Sequence, residues 1–118
     1  MRRALYYMST DGRGMPIYSR VKRRRMCLIH VVWDLPNDPD GNVQHIAEHG
    51  ITVDEVEDVL FDPFSQTATS RSTGNPITFG YTSGERYLGV VWEHVMDDPL
   101  TMRPVTAFDA PEPTSAGR

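Results

Sequence analysis

The sequence predicts an α+β domain, in which two short helices pack on one mostly antiparallel sheet in the order β-α-α-β-β-β-β. Three observations predict this class: a β-rich run beginning at residue 28, two adjoining helical segments with a capping motif between them, and four later segments of strand character separated by turn residues. With 118 residues, the chain has the length of one domain with a modest core.

The first strand is predicted over residues 28–33, LIHVVW, in which His30 is the one polar residue. The next residues, 34–41, are rich in Asp, Asn and Pro and end in Gly, and these residue types favour turns. The strand therefore ends at about Trp33.

Two helices are predicted from apolar spacing and from the residues at their ends. Apolar residues recur at helical spacing from Val43, and Gly50 stands where the first helix needs a left-handed residue to end. Thr52 and Glu55 form a capping box at the start of the second helix, and Asp62-Pro63 ends it. The second helix has an apolar stripe of Val53, Val56, Val59 and Leu60 and a solvent-facing acidic face of Asp54, Glu55, Glu57 and Asp58.

Four further strands are predicted at residues 65–70, 77–82, 86–94 and 102–108. The first is polar and typical of a sheet edge. In the second, Ile77, Phe79 and Tyr81 point to one side of the sheet. The third is apolar on both faces at its centre, which indicates an inner strand, and residues 96–99 are predicted as a loop. Proline cannot donate a hydrogen bond to a neighbouring strand. Pro104 therefore indicates that the last strand lies at a sheet edge, that the strand starts at Pro104, or that Pro104 lies at a bulge.

Charge is distributed unevenly along the chain, whose formal net charge is −4. Residues 1–27 carry eight basic side chains against Asp11 alone, or 8 − 1 = +7, and the remaining 91 residues carry 4 − 15 = −11. Because the basic segment shows no sustained periodicity, we expect residues 1–27 to be a disordered extension, 28–109 the folded domain and 110–118 a loose tail. The alternative is that Lys22–Arg25 binds nucleic acid by neutralising phosphates.

Compartment and membrane association are also constrained by the sequence. The chain has no apolar run of about 18 residues that would cross a membrane, and its single cysteine, Cys27, cannot form an internal disulfide. We therefore expect a cytoplasmic protein. Met26 stands directly before the first strand, so an upstream choice of start codon is another explanation of the basic segment.

Several landmarks of residues 28–109 resemble the BrnT toxin family of bacterial toxin-antitoxin systems, which shares the RelE-like small ribonuclease fold. These landmarks are Val32-Trp33-Asp34, Glu48-His49-Gly50, Leu60-Phe61-Asp62-Pro63 and the terminal strand Pro104-Val105-Thr106-Ala107-Phe108. The chain departs from the family pattern where Glu48 replaces a usual lysine, where Phe108 replaces a usual arginine, and where residues 110–113 replace a basic helix. Each departure removes positive charge from a fold whose usual substrate is a polyanion.

The resemblance implies a metal-independent endoribonuclease that cuts single-stranded RNA without a cofactor and is restrained by an antitoxin-like protein encoded nearby. Such chemistry needs a base near the 2′-hydroxyl, a cation at the phosphate and a proton donor for the leaving oxygen. The candidate catalytic residues are His49 and Arg71, with Arg86 and His45 in support. His49 falls on a family landmark, and Arg71 lies in a polar loop suited to a phosphate.

Each of these residues also has a structural explanation. His49 in the last turn of a helix is favoured by the helix dipole, and Arg71 is equally suited to pair with the acidic helix. Arg86 follows a turn, where a solvated strand residue is common, and His45 fits an exposed helix position. The alternative function is therefore a non-catalytic relative that binds a protein partner through its acidic helix, which the charge balance favours.

Residues 45–49 also match the pattern H-x-x-E-H of the inverted zinc proteases. His45 and His49 stand one helical turn apart, as two zinc ligands would. Gly50 ends the helix at once, and such proteases are far larger than this chain. We therefore expect no metal.

Overall fold

The computed structural model describes residues 5–10, 14–24 and 27–113. In chain order the elements of these residues are β1 (Leu5–Thr10), β2 (Pro16–Arg24), β3 (Cys27–Asp34), α1 (Asn42–Ala47), α2 (Val53–Phe61), β4 (Gln66–Thr69), β5 (Pro76–Tyr81), β6 (Tyr87–Asp97) and β7 (Leu100–Asp109). The strands form one sheet in the order β1-β2-β3-β7-β6-β5-β4, in which β3 and β7 are parallel and the other neighbours are antiparallel. The α+β class, with two short helices and a mixed sheet, is confirmed.

The N-terminal segment differs from the sequence-based expectation of a disordered extension. Its described residues form β1 and β2, which extend the sheet beyond β3. Tyr18 of β2 packs against the core, and Arg20 pairs with Asp54 and Glu57 of α2. These ion pairs join residues more than thirty positions apart, so no local periodicity indicated them. Residues 1–4, 11–13, 25–26 and 114–118 lie outside the described residues, and 110–113 of the predicted tail have no regular secondary structure.

The helix ends follow the predicted capping residues. Gly50 has φ 72°, the left-handed conformation that the chain needs after α1. The Glu55 backbone N–H donates to Thr52 Oγ1 at 3.2 Å, and the Thr52 backbone N–H donates to Glu55 Oε1 at 3.1 Å. The capping box is confirmed, and α2 ends at Phe61 before Asp62.

The hydrophobic core lies between the two helices and one face of the sheet. Its buried members come from both helices, the segment between them, and three strands: Ile29, Val31, Trp33, Ile46, Ile51, Val56, Val59, Leu60, Phe61, Leu88, Val90, Trp92, Met102 and Ala107. Glu57, which we expected on a solvent-facing acidic face, is 1% exposed. It accepts a hydrogen bond from Trp33 Nε1 at 2.9 Å and pairs with Arg20 at 3.1 Å, so this part of the expectation was wrong.

The later strands confirm most of the predicted pattern. β4 is the edge strand at one side of the sheet, and β6 is an inner strand between β5 and β7. The predicted loop 96–99 begins too early, because β6 continues through Asp97. Pro104 lies at a bulge: Trp92 is opposite Pro104, whereas Val91 is opposite Thr106, so Val105 is the extra residue.

The face of the sheet opposite the core is covered by neither α1 nor α2. Because Leu88, Val90 and Trp92 of β6 are buried in the core, the residues that alternate with them point to the opposite side. We call this side the open face; its residues on β5 and β6 are Ile77, Phe79, Tyr81, Tyr87, Gly89, Val91 and Glu93. Within the described part of the chain, no helix is long and apolar enough to cross a membrane.

Candidate active site

A cleft of about 340 Å³ lies where α1 meets the sheet. His45 of α1, Glu93 of β6 and Arg103 of β7 line it, together with Asn75 just before β5 and Asp40 just before α1. The cleft therefore brings together an imidazole, a carboxylate and a guanidinium from three separate elements.

Strand register explains why the polar groups on the sheet side converge. Glu93 and Arg103 are directly opposite each other in the β6–β7 pairing. Ile77 of β5 is opposite Val91 of β6, and continuing that antiparallel register places Asn75 beside Glu93. His45 reaches the same space from α1, one helical turn after Asn42.

A buried hydrogen-bond network positions Arg103. Its Nη2 and Nη1 donate to the two carboxylate oxygens of Asp34 at 2.8 and 3.3 Å, and Asp34 is fully buried. Asp34 Oδ2 also accepts the Asn42 backbone N–H at 2.8 Å, and the Asp34 backbone N–H donates to Asn42 Oδ1 at 2.9 Å. Asn42 Nδ2 donates to the carbonyl oxygens of Val32 and Pro104 at 3.1 and 2.9 Å. One asparagine thus ties β3, α1 and β7 together and limits the guanidinium to one orientation.

Close backbone approach at Gly41 belongs to the same network. A Cβ added at Gly41 would lie 2.6 Å from the Cβ of Asp34, inside van der Waals contact. Only glycine lets the chain enter α1 this close to the Asp34 side chain. The Asp34–Asn42 hydrogen bonds depend on that approach.

The sequence-predicted histidines lie side by side at the end of α1. The ring centroids of His45 and His49 are 5.6 Å apart in an edge-to-face arrangement, and both side chains are exposed. His45 lines the cleft, whereas His49 lies beyond its lining. Of the two, His45 has the better position for chemistry in the cleft.

Arg71 lies in the turn between β4 and β5, four residues before Asn75, and its side chain is exposed. Among the described residues it pairs with no carboxylate, and it does not line the cleft. The acidic helix that was its alternative partner pairs instead with Arg20 and Arg86.

Arg86 is held in an ion-pair cluster away from the cleft lining. Its Nε and Nη2 donate to the carboxylate of Asp109 at 2.6 and 2.8 Å, and Nη1 donates to the Gly50 carbonyl oxygen at 2.9 Å and to Glu55 at 3.3 Å. The hydrogen bonds to Asp109, and then those to Glu55, raise the pKa of the Arg86 guanidinium, and the same pairing with Arg86 lowers the pKa of Asp109. We call these residues, Arg86, Asp109, Glu55 and Gly50, the Arg86 cluster. Arg86 joins the helix corner to β7 and is not placed to contact a substrate in the cleft.

No protein-family model, curated protein or solved structure matches this chain. The interpretation of the cleft therefore depends on the chemistry of its own residues.

Sequence reasoning included His45 as a supporting residue but missed Glu93 and Arg103 as members of a site. Both lie within segments whose pattern indicates a structural strand, and they become neighbours only through the β6–β7 register. The one available signal was the scarcity of basic residues after residue 27, which made Arg103 one of few cations. Nothing local distinguishes Glu93.

The described residues contain no group of three or more His, Cys, Asp or Glu side chains that would hold a metal ion. His45 and His49 of the H-x-x-E-H pattern are neighbours, but the described fold brings no third ligand to them.

Proposed function

We propose that this chain is a metal-independent endoribonuclease acting on single-stranded RNA, similar to the BrnT toxins, and that the cleft of His45, Glu93 and Arg103 is its active site. The observation that carries the proposal is the convergence of these three groups in one cleft. They supply the three functions that RNA cleavage without metal requires: a base, an acid and a cation.

The reaction is a transphosphorylation within the RNA. Glu93 takes the proton of the ribose 2′-hydroxyl, and the 2′-oxygen forms a bond to the adjacent phosphorus. The bond from phosphorus to the 5′-oxygen of the next nucleotide breaks, and protonated His45 gives its proton to that oxygen. Arg103 stabilises the charge on the phosphoryl oxygens. The products are a 2′,3′-cyclic phosphate and a free 5′-hydroxyl.

Regulation by a partner belongs to the same proposal. A toxin of this kind acts in the cytoplasm and is restrained by an antitoxin-like protein encoded nearby. A small basic ribbon-helix-helix protein in the neighbouring reading frame would support it.

One observation favours the alternative, a non-catalytic relative that binds a protein partner. Residues 27–113 carry three arginines and 15 carboxylates, or 3 − 15 = −12, and two of those arginines are paired with Asp34 and Asp109. Such a body repels RNA at long range. The contacts of the acidic helix weigh against this alternative, because three of the carboxylates expected to bind the partner already form ion pairs within the chain. Asp54 and Glu57 pair with Arg20, and Glu55 pairs with Arg86.

The test is inducible expression of the full chain in bacteria, with growth and RNA integrity as readouts. We expect the intact chain to arrest growth and degrade RNA, and His45→Ala and Glu93→Gln to relieve both. His94→Ala and Glu85→Gln are matched controls outside the cleft lining and should remain toxic. His49→Ala and Arg71→Ala, tested beside them, determine whether the residues chosen from sequence contribute. Absence of toxicity in the intact chain, or toxicity that survives both cleft variants, would favour the protein-binding alternative.

A further inference from the structure

Four aromatic rings from three adjacent strands cluster on the open face. The Phe79 ring is stacked on that of Tyr87 with centroids 6.3 Å apart, and it meets the Phe108 ring edge to face at 6.4 Å. The Tyr81 and Tyr87 ring centroids are 4.8 Å apart. Tyr81 is 39% exposed, and the other three rings are half-buried.

Gly89 provides the floor beneath this cluster. A Cβ at Gly89 would lie 2.6 Å from Phe108 Cζ and 2.9 Å from Phe79 Cε1, so the two rings lie directly over the backbone of β6. The absence of a side chain at this position lets Phe79 and Phe108 meet across the strand. The result is a patch of aromatic carbon in a protein face that neither helix covers.

The aromatic patch continues along the open face to the cleft. Gly89 and Glu93 are on the same side of β6 and four residues apart, which corresponds to about 13 Å. Val91 and Ile77, both half-buried, lie between them. This separation is the length of a few nucleotides, so the patch is within reach of an RNA strand whose scissile phosphate lies in the cleft.

Single-stranded RNA has the chemistry that suits such a patch. Its bases are unpaired, so their faces are free to stack on aromatic rings, whereas the bases of a duplex are stacked on one another. A strand whose scissile phosphate lies in the cleft would therefore bring a flanking base over the rings.

We propose that the cluster of Phe79, Tyr81, Tyr87 and Phe108 is a stacking platform for the bases of single-stranded RNA flanking the cleavage point. The proposal rests on the proposed function for the path through the cleft. Base stacking on aromatic rings does not depend on the charge of the protein. Stacking therefore offsets part of the long-range repulsion between RNA and a body rich in carboxylates.

The experiment measures binding of a fluorescein-labelled 2′-O-methyl octauridine by fluorescence anisotropy of the full chain. This probe lacks the 2′-hydroxyl and cannot be cleaved. We expect Tyr81→Ala and Tyr87→Ala each to weaken binding about tenfold, the loss typical of one stacked base. Tyr81→Phe keeps the ring and removes the hydroxyl that donates to Glu112, so it should bind as the intact chain does. Phe64→Ala, which removes an aromatic side chain that is 85% exposed on the segment before β4, is the matched control and should also bind normally.

Salt dependence separates stacking from phosphate neutralisation. The Tyr81→Ala chain should bind more weakly but keep the slope of log K against log salt, because a ring neutralises no phosphate. An unchanged affinity for the probe in both tyrosine variants would overturn the platform, and so would a lack of probe binding by the intact chain. If the intact chain does not bind the RNA probe but binds an arginine-rich peptide, and the tyrosine substitutions abolish that peptide binding, the patch is a contact for a protein partner instead.

Cleavage of a dinucleoside monophosphate distinguishes the failure of the platform from the failure of the proposed function. This substrate fills the cleft but is too short to reach the rings. We expect Glu93→Gln to abolish its cleavage and Phe64→Ala, outside both the cleft lining and the platform, to leave it unchanged. Lack of dinucleotide cleavage together with ring-dependent probe binding would refute the ribonuclease and keep the RNA-binding platform.

Discussion

At the scale of single residues, the carboxylate of Glu57 links α2 to two strands through Trp33 and Arg20. Its position on the second helix groups it with three acidic neighbours, yet its carboxylate is buried between Trp33 and Arg20. A helical repeat shows which residues share a face but not whether a distant strand covers part of it. Here β2 supplies Arg20, and β3 supplies Trp33.

The burial of Glu57 predicts a large loss of stability on its removal. Glu57→Ala leaves the Trp33 Nε1–H and the Arg20 guanidinium without their shared acceptor, and Arg20 is only 17% exposed. We expect the free energy of unfolding, measured with urea, to fall by about 3 kcal/mol. Asp54→Ala is the matched control, because Asp54 pairs with the same arginine but is 83% exposed. Its loss should be below about 1 kcal/mol, and equal losses in the two variants would contradict the buried role of Glu57.

At the scale of elements, the corner between the helices is secured by two separate devices. Thr52 and Glu55 cap α2, and Arg86 joins the Gly50 carbonyl oxygen and Glu55 to Asp109 of β7. The cap is visible in the sequence because its partners are three residues apart. The ion-pair cluster is not, because Arg86 is 36 residues from Gly50 and 23 from Asp109.

The cap gives a simple stability prediction. Thr52→Ala removes the oxygen that accepts the Glu55 backbone N–H, and we expect a loss of about 1 kcal/mol in the free energy of unfolding. Thr52→Ser retains the hydroxyl and should lose much less. A loss shared equally by the two variants would indicate packing of the Thr52 methyl group rather than capping.

The Arg86 cluster predicts an acid-dependent contribution to stability. Its arginine lowers the pKa of Asp109 in the folded state. A carboxyl group whose pKa is lower in the folded chain than in the unfolded chain stabilises the fold at pH values above its unfolded-state pKa, about 3.9. This stabilisation is lost as the pH falls through the folded-state pKa. The melting temperature of the intact chain should therefore fall more steeply on acidification below about pH 4 than that of Asp109→Asn. Asp98→Asn, in the β6–β7 turn, should keep the steep dependence of the intact chain, and identical acid profiles for intact and Asp109→Asn chains would contradict the role of this pair.

How far the sequence determines the elements is clear from particular cases. The α2 bounds and the left-handed Gly50 depend on local chemistry and were predictable. Pro104 was compatible with a sheet edge, a strand start or a bulge, and only the strand order and register show that it lies at a bulge. β1 and β2 were not, because their stability comes from distant contacts such as Arg20 to α2. The cleft was only partly predictable: His45 was a candidate, whereas Glu93 and Arg103 meet through a strand register that no single segment encodes.

At the scale of the whole molecule, the N-terminal strands are part of the sheet rather than an addition to it. A chain beginning at Met26 would lack β1 and β2, expose the edge of β3 and leave Glu57 without Arg20. We expect such a chain to unfold at a lower urea concentration than the full chain and to aggregate more readily, because an uncovered strand edge pairs with other molecules. Equal urea midpoints and equal solubility for the two chains would show that the first strands contribute nothing to the fold.

The distribution of charge gives the molecule two unlike regions. The acidic body surrounds a cleft with one arginine, while the basic residues are concentrated in the first 27 positions. If the chain cleaves RNA as proposed, the reaction depends on short-range contacts at the cleft and the open face. Substitution of groups in the cleft should therefore change activity much more than substitution of exposed charges elsewhere.

The most direct test of the proposed ribonuclease is cleavage of single-stranded RNA by the purified full chain in the presence of a metal chelator, with analysis of the product ends. The cleft predicts products ending in 2′,3′-cyclic phosphate and 5′-hydroxyl, and a rate that falls by about 10² to 10⁴ in His45→Ala and in Glu93→Gln. Absence of cleavage, cleavage that requires added metal, or cleavage that persists in both variants would contradict the proposal.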